Sequence, residues 1–200
     1  PEAAAAFEMQ IAASQDAAQQ YPDDLGLTLS LALAHDNLGD VLSEQSRIAA
    51  ALVNYQQGLV IRETLSARHP GVEDVQLALS VSYSRLGTVL FRQGDLAGAE
   101  SYFRQKFRLA SEIIATQPDG YRWQRDLSVS EQKLADVLRQ RGDLPGALAY
   151  YQSMLTRMDP IRKANPEDLE LNRFVSITLD RIGEVHAATD DLAAALDVFL

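Results

Sequence analysis

Arg85-Leu86-Gly87-Thr88-Val89-Leu90 returns with small changes at three other places. These are Asn37-Leu38-Gly39-Asp40-Val41-Leu42, Lys133-Leu134-Ala135-Asp136-Val137-Leu138 and Arg181-Ile182-Gly183-Glu184-Val185-His186, each 48 residues from the next. The same interval separates Pro22, Pro70, Pro118 and Pro166. It also separates Ala51, Ala99, Ala147 and Ala195, with Ala3 one interval earlier. Aromatic residues keep step at Phe7, Tyr55, Phe103, Tyr151 and Phe199. A constant period of this size marks one structural unit repeated along the chain.

Inside a unit the apolar positions fall at helical spacing. Leu79, Tyr83, Leu86 and Leu90 lie on one segment, and Leu96, Ala99, Phe103, Phe107, Ala110 and Ile114 on the next. Each unit is therefore two amphipathic helices of about 20 residues joined by short turns. One break is Gly94-Asp95-Leu96, echoed by Gly142-Asp143-Leu144. There glycine ends a helix in the left-handed region and aspartate caps the next. The other break follows the proline column. Its acids (Asp23-Asp24, Asp74, Asp119, Glu167-Asp168) supply caps and favourable first-turn charge. No segment carries a strand pattern.

These columns resemble the tetratricopeptide repeat, a 34-residue helical hairpin that reads W-x2-L-G-x2-Y, then A-x3-F, then P. Here the corresponding stretch is Tyr83-x2-Leu86-Gly87-x2-Leu90, then Ala99-x3-Phe103, then Pro118. The 14 additional residues divide equally, seven to each helix. Seven residues are close to two α-helical turns, so the insertion lengthens a helix while rotating its apolar face by only about 20°. The resemblance implies an all-α, right-handed superhelical solenoid of antiparallel hairpins covering residues 1–200 as one domain. Residues 1–21 form the second helix of a preceding repeat, 22–69, 70–117 and 118–165 are complete repeats, and 166–200 is an incomplete one. Long repeats of this kind resemble those found in tandem in large bacterial signalling and regulatory proteins, so the chain is expected to be a cytoplasmic fragment of such a protein.

The recurrent alanines have a packing reason, because helices about 8–10 Å apart need a small side chain where their axes come closest. Gly39, Gly87 and Gly183, with Ala135 as the variant, play that part on the first helix. Trp123 shares the column of Leu27, Val75 and Leu171 and is expected in the core. Pro160 stands well inside a second helix and is expected to break or kink it after Met158, whereas Pro145 is harmless in a first turn.

Composition removes several functions. The chain has 28 acidic and 18 basic residues, a net charge of −10, and it lacks cysteine. Clustered Lys and Arg for nucleic acid or an anionic membrane are missing, as are thiol redox chemistry and thiolate metal sites. No apolar run reaches the roughly 20 residues needed to span a bilayer. His35, His69 and His186 occupy different columns of different repeats without a metal-ligand spacing, and no glycine-rich phosphate loop is present. The reading is a non-enzymatic segment with no cofactor and no metal.

Binding is the better case. In the family, the first helices line the concave face, and ligands are met from positions three before, one after and four after the glycine. Carried over, these are Asp36, Asp40 and Ser43; Ser84, Thr88 and Phe91; Gln132, Asp136 and Arg139; and Asp180, Glu184 and Ala187. The position after the glycine is acidic in three of four repeats, which suits a basic or polar segment of a protein partner. The Lys, Arg and Asn set with which some members clamp a terminal carboxylate is missing. An alternative reading is structural. Arg85, Lys133 and Arg181, two before the glycine, could pair with Asp40, Thr88 or Asp136 of the preceding repeat. A further alternative is a regulatory or self-association segment, acting on other domains of its own chain or on a second copy through the open repeat ends at Phe7, Leu196, Phe199 and Leu200.

Overall fold

The computed structural model describes residues 2–118 and 120–199, and the side chains at 2, 192 and 197–199 fall outside that description. The described residues form nine helices and no strand. In order they are α1 (Glu2–Gln20), α2 (Leu25–Glu44), α3 (Ile48–Arg68), α4 (Glu73–Arg92), α5 (Leu96–Thr116), α6 (Tyr121–Gln140), α7 (Leu144–Ala164), α8 (Leu169–Ala188) and α9 (Leu192–Phe199). The first eight run for 19–21 residues, matching the length the period demands. Two compact units divide the chain, residues 1–93 with α1–α4 and residues 94–200 with α5–α9, and in each unit every helix packs on the next.

Both breaks repeat their backbone geometry. Ser46, Gly94, Gly142 and Asp190, again 48 residues apart, all have positive φ (60°, 80°, 84° and 58°). Each turn thus reverses the chain through one left-handed residue, which glycine adopts without steric penalty and serine and aspartate do not. The next residue caps: Asp95 accepts from the Gly98 amide at 2.9 Å, Asp143 from Gly146 at 3.0 Å and Asp191 from Ala194 at 3.1 Å. Arg47, in that column, offers no side-chain cap. At the other break His69, Gln117 and Asn165 share an extended φ near −130° (−132°, −135°, −130°), as expected before proline. Beyond the prolines, Asp24 and Asp168 cap α2 and α8, but Val72 and Gly120 make no side-chain cap; Asp119 lies outside the described residues.

The small-residue column is the core. Ala51, Ala99 and Ala147 are fully buried and Ala195 nearly so. Ala3 is exposed, since no helix precedes α1 among the described residues to cover it. Gly39 meets the ring of Tyr55, and a Cβ there would stand 2.6 Å from a ring carbon. In unit 2, Ala135 takes that place in a cluster with Ala147, Tyr151, Ile182 and Val185. Trp123 is buried, as its column predicts. Of the break or kink expected at Pro160, the break does not occur. The helix runs through it to Ala164 because buried Met154 and Met158, with Leu171 and Val175, anchor the turns before it. Asp159 then ties the last turn to Arg162 at 2.7 Å and Lys163 at 2.6 Å, offsetting the amide hydrogen that proline lacks.

Candidate functional site

The residues carried over from the repeat pattern lie on the first helix of each hairpin: α2 and α4 in unit 1, α6 and α8 in unit 2. In unit 1, Asp40 is half-buried and accepts two hydrogen bonds from Arg85 Nη1, at 2.6 Å to each oxygen. It also accepts from the Tyr55 hydroxyl at 2.7 Å. Burial, and then the hydrogen bond to Asp40, raise the Tyr55 phenol well above its ordinary value. Asp36 is only 1% exposed, so it lies out of reach of a ligand on the surface. Gly58 lets α3 come close enough for Arg62 to bond Asp36 at 2.7 Å, which is why this acid turns inward. Ser43, Ser84, Thr88 and Phe91 are half-buried.

Unit 2 has the same framework with the charges arranged differently. Asp136 accepts from the Tyr151 hydroxyl at 2.7 Å, and the Tyr151 phenol is raised first by burial and then by that bond. Arg139 on α6 reaches Glu184 on α8 at 3.3 Å, and Arg181 reaches the same carboxylate at 2.9 Å. Gln132 bonds Thr178 at 3.4 Å, while Asp180 and Ala187 are exposed. Asp40 with Arg85, Arg125 with Glu170, and Arg139 with Glu184 are each 45 residues apart, one repeat less a helical turn. That constant offset is the register in which one first helix meets the next. Of the three cations two before the glycine, Arg85 pairs across to the previous first helix, whereas Arg181 bonds within its own.

One column escaped the sequence reading although its spacing made it legible. Leu33, Val81, Val129 and Ile177 stand 48 residues apart, seven before the acidic row and so on the same helix face two turns earlier. Leu33 is 48% exposed, Val81 47% and Ile177 37%, and Val129 is half-buried. Most other apolar columns of these helices close on the core, the column of Tyr121 and Leu169 at the helix starts excepted, so the signal was a periodic aliphatic position on a face otherwise assigned to polar residues.

His35 Nδ1 lies 3.1 Å from Asn54 Oδ1, and His186 Nδ1 lies 3.6 Å from Asp191. No group of three potential metal ligands assembles among the described residues, and none of their helices is long and apolar enough to cross a membrane. At the chain ends Phe7 is half-buried and Leu196 exposed, while the Phe199 side chain and Leu200 lie outside the described residues.

Residues 79–110 match the family model of the tetratricopeptide repeat, which bears out the resemblance read from the columns. No curated protein matches the chain in sequence. Its fold is similar to the crystal structure of BtubC (BKLC) from P. vanneervenii, with a TM-score of 0.71 at 15% identity over 98% of this chain and 69% of that one. The likeness shows a helical-repeat fold. Tetratricopeptide repeats generally mediate protein–protein interaction and are in general a non-enzymatic scaffold.

Proposed function

We propose that each unit of this chain holds an extended segment of a partner protein along its first helices, α2 with α4 in unit 1 and α6 with α8 in unit 2, through aliphatic anchors set between polar contacts. The observation that carries this reading is the exposed column of Leu33, Val81 and Ile177, with Val129 in register. An aliphatic side chain that recurs once per repeat and stays in water on the same face has a function in binding more readily than in folding. The acidic row contributes less free charge than its sequence implies, because Asp40 is matched by Arg85, and Glu184 by Arg139 and Arg181. Exposed Asp180 and the net charge of −10 retain a preference for basic or polar residues between the anchors. Of the residues carried over from the family, Asp40, Ser43, Ser84, Thr88 and Phe91 would serve unit 1, and Gln132, Asp136, Arg139, Asp180 and Glu184 unit 2.

The test is selection of binders from a displayed peptide library, followed by Leu33→Asp with Val81→Asp. Recovered peptides should carry spaced aliphatic and basic residues and lose affinity at least tenfold on the double variant, with helix content unchanged. Peptides that bind both proteins alike would exclude this face. A second reading, contact with a second copy or with other parts of a longer chain, is supported by exposed Met9 and Leu196. Light scattering across a concentration series tests it, and a strict monomer counts against self-association.

A further inference from the structure

Two core positions recur one turn apart on the second helices: 58 and 62 on α3, 106 and 110 on α5, 154 and 158 on α7. All six residues are buried, yet their chemistry changes from helix to helix: Gly58 with Arg62, Lys106 with Ala110, Met154 with Met158. A cation occupies the later position on α3, the earlier on α5 and neither on α7. Arg62 is 4% exposed and Lys106 2%.

Each pair has a matching partner on a neighbouring first helix. Arg62 donates to Asp36 of α2 at 2.7 Å and to the Ser82 hydroxyl of α4 at 2.6 Å. A Cβ on residue 58 would stand 2.8 Å from Asp36 Oδ1 and 3.2 Å from Arg62 Nη1, so glycine at 58 makes room for the ion pair. Lys106 donates to Asp126 of α6. Met154 and Met158 pack with Leu171 and Val175 of α8, and Thr178 donates to the Met154 sulfur at 3.1 Å. The acids are poorly repeated: the column of Asp126 reads Ser30, Ala78 and Phe174, and that of Asp36 reads Ser84 and Gln132 and returns to aspartate only at Asp180, which is exposed. Lys106 placed in another repeat's frame would find no acid in the column of Asp126, and Arg62 would find one in the column of Asp36 only at exposed Asp180.

We infer that these buried pairs select the first helices on which a second helix packs, α2 and α4 for α3 and α6 for α5, among partners whose apolar faces are otherwise interchangeable. The small and aromatic columns are nearly identical in every repeat, so apolar packing discriminates weakly between correct and exchanged partners. A charge buried without its partner is strongly penalised, whereas the paired charge adds little net stability over an apolar replacement. Discrimination, rather than adhesion, is what such a pair supplies.

The experiment replaces the pairs in the full chain with apolar residues of the α7 kind: Asp36→Leu with Arg62→Met, and separately Asp126→Leu with Lys106→Met. Each variant is compared with the unsubstituted chain by denaturant midpoint and by light scattering over a concentration series. The expected result is a midpoint equal to or above that of the unsubstituted chain, with a several-fold larger dimer fraction from exchange of helices between copies. A folded variant with no increase in dimer overturns the inference. So does failure of both variants to fold, because the pairs would then be holding the helices together rather than sorting them.

Discussion

Tyr55 donates its hydroxyl hydrogen to Asp40 at 2.7 Å, and the bond is repeated at equal length between Tyr151 and Asp136, two repeats further along. In the intervening repeat the corresponding residues are Phe103 and Thr88, so tyrosine accompanies aspartate and phenylalanine accompanies threonine. The acid after the glycine thus serves its own hairpin as well as the neighbouring first helix. Tyr55→Phe should cost about 1 kcal/mol, and Tyr55→Phe with Asp40→Thr less than the sum of the single changes. A double-mutant cycle in denaturant measures the coupling, and strict additivity would contradict the pairing.

The turn before α3 is the imperfect copy. Ser46 holds a φ of 60° where two other repeats have glycine, and Arg47 replaces the capping aspartate found at 95, 143 and 191. Ser46→Gly should stabilise the chain by about 0.5–1 kcal/mol through relief of left-handed strain, and Arg47→Asp by about 1 kcal/mol through the restored cap. Thermal unfolding of each variant checks this, with Gly94→Ala expected to move in the opposite direction.

Position in the alanine column does not by itself set sensitivity; coverage by a neighbouring helix does. Ala147 is fully buried among Ala135, Tyr151, Ile182 and Val185, and Ala147→Leu should cost about 1–3 kcal/mol by overpacking. Ala3→Leu, in the same column but exposed, should change stability by no more than about 0.5 kcal/mol. Equal effects at the two sites would refute the packing account.

Alkaline titration reads the two tyrosines directly. Burial, then hydrogen bonding to Asp40 and Asp136, lifts both phenols above the ordinary value of 10.0. A raised folded-state value means that their contribution is intact below that ordinary value and is lost as pH rises through and beyond it, where the unfolded chain releases protons that the folded chain keeps. Phenolate absorbance followed alongside circular dichroism should show a delayed step coincident with helix loss. Tyr55→Phe with Tyr151→Phe should remove that step.

The sequence by itself determined the all-helical fold, the helix lengths, the two kinds of break and the small-residue column. These depend on local quantities: the sign of φ at one residue, a cap three residues away, a proline's effect on its predecessor, and a period that places like residues on like faces. Tertiary structure alone decided the fate of each charge and the passage of α7 through Pro160. Asp36 belongs to the surface row by spacing and to the core in fact, because Arg62, 26 residues later, neutralises it beside a glycine. That Asp40 would meet Arg85 was likewise open, since partners 45 residues apart meet only once the helices have settled into register. Periodicity fixes which face a side chain occupies. How closely the opposing helix approaches, and what charge it carries there, follows only from the packed interface.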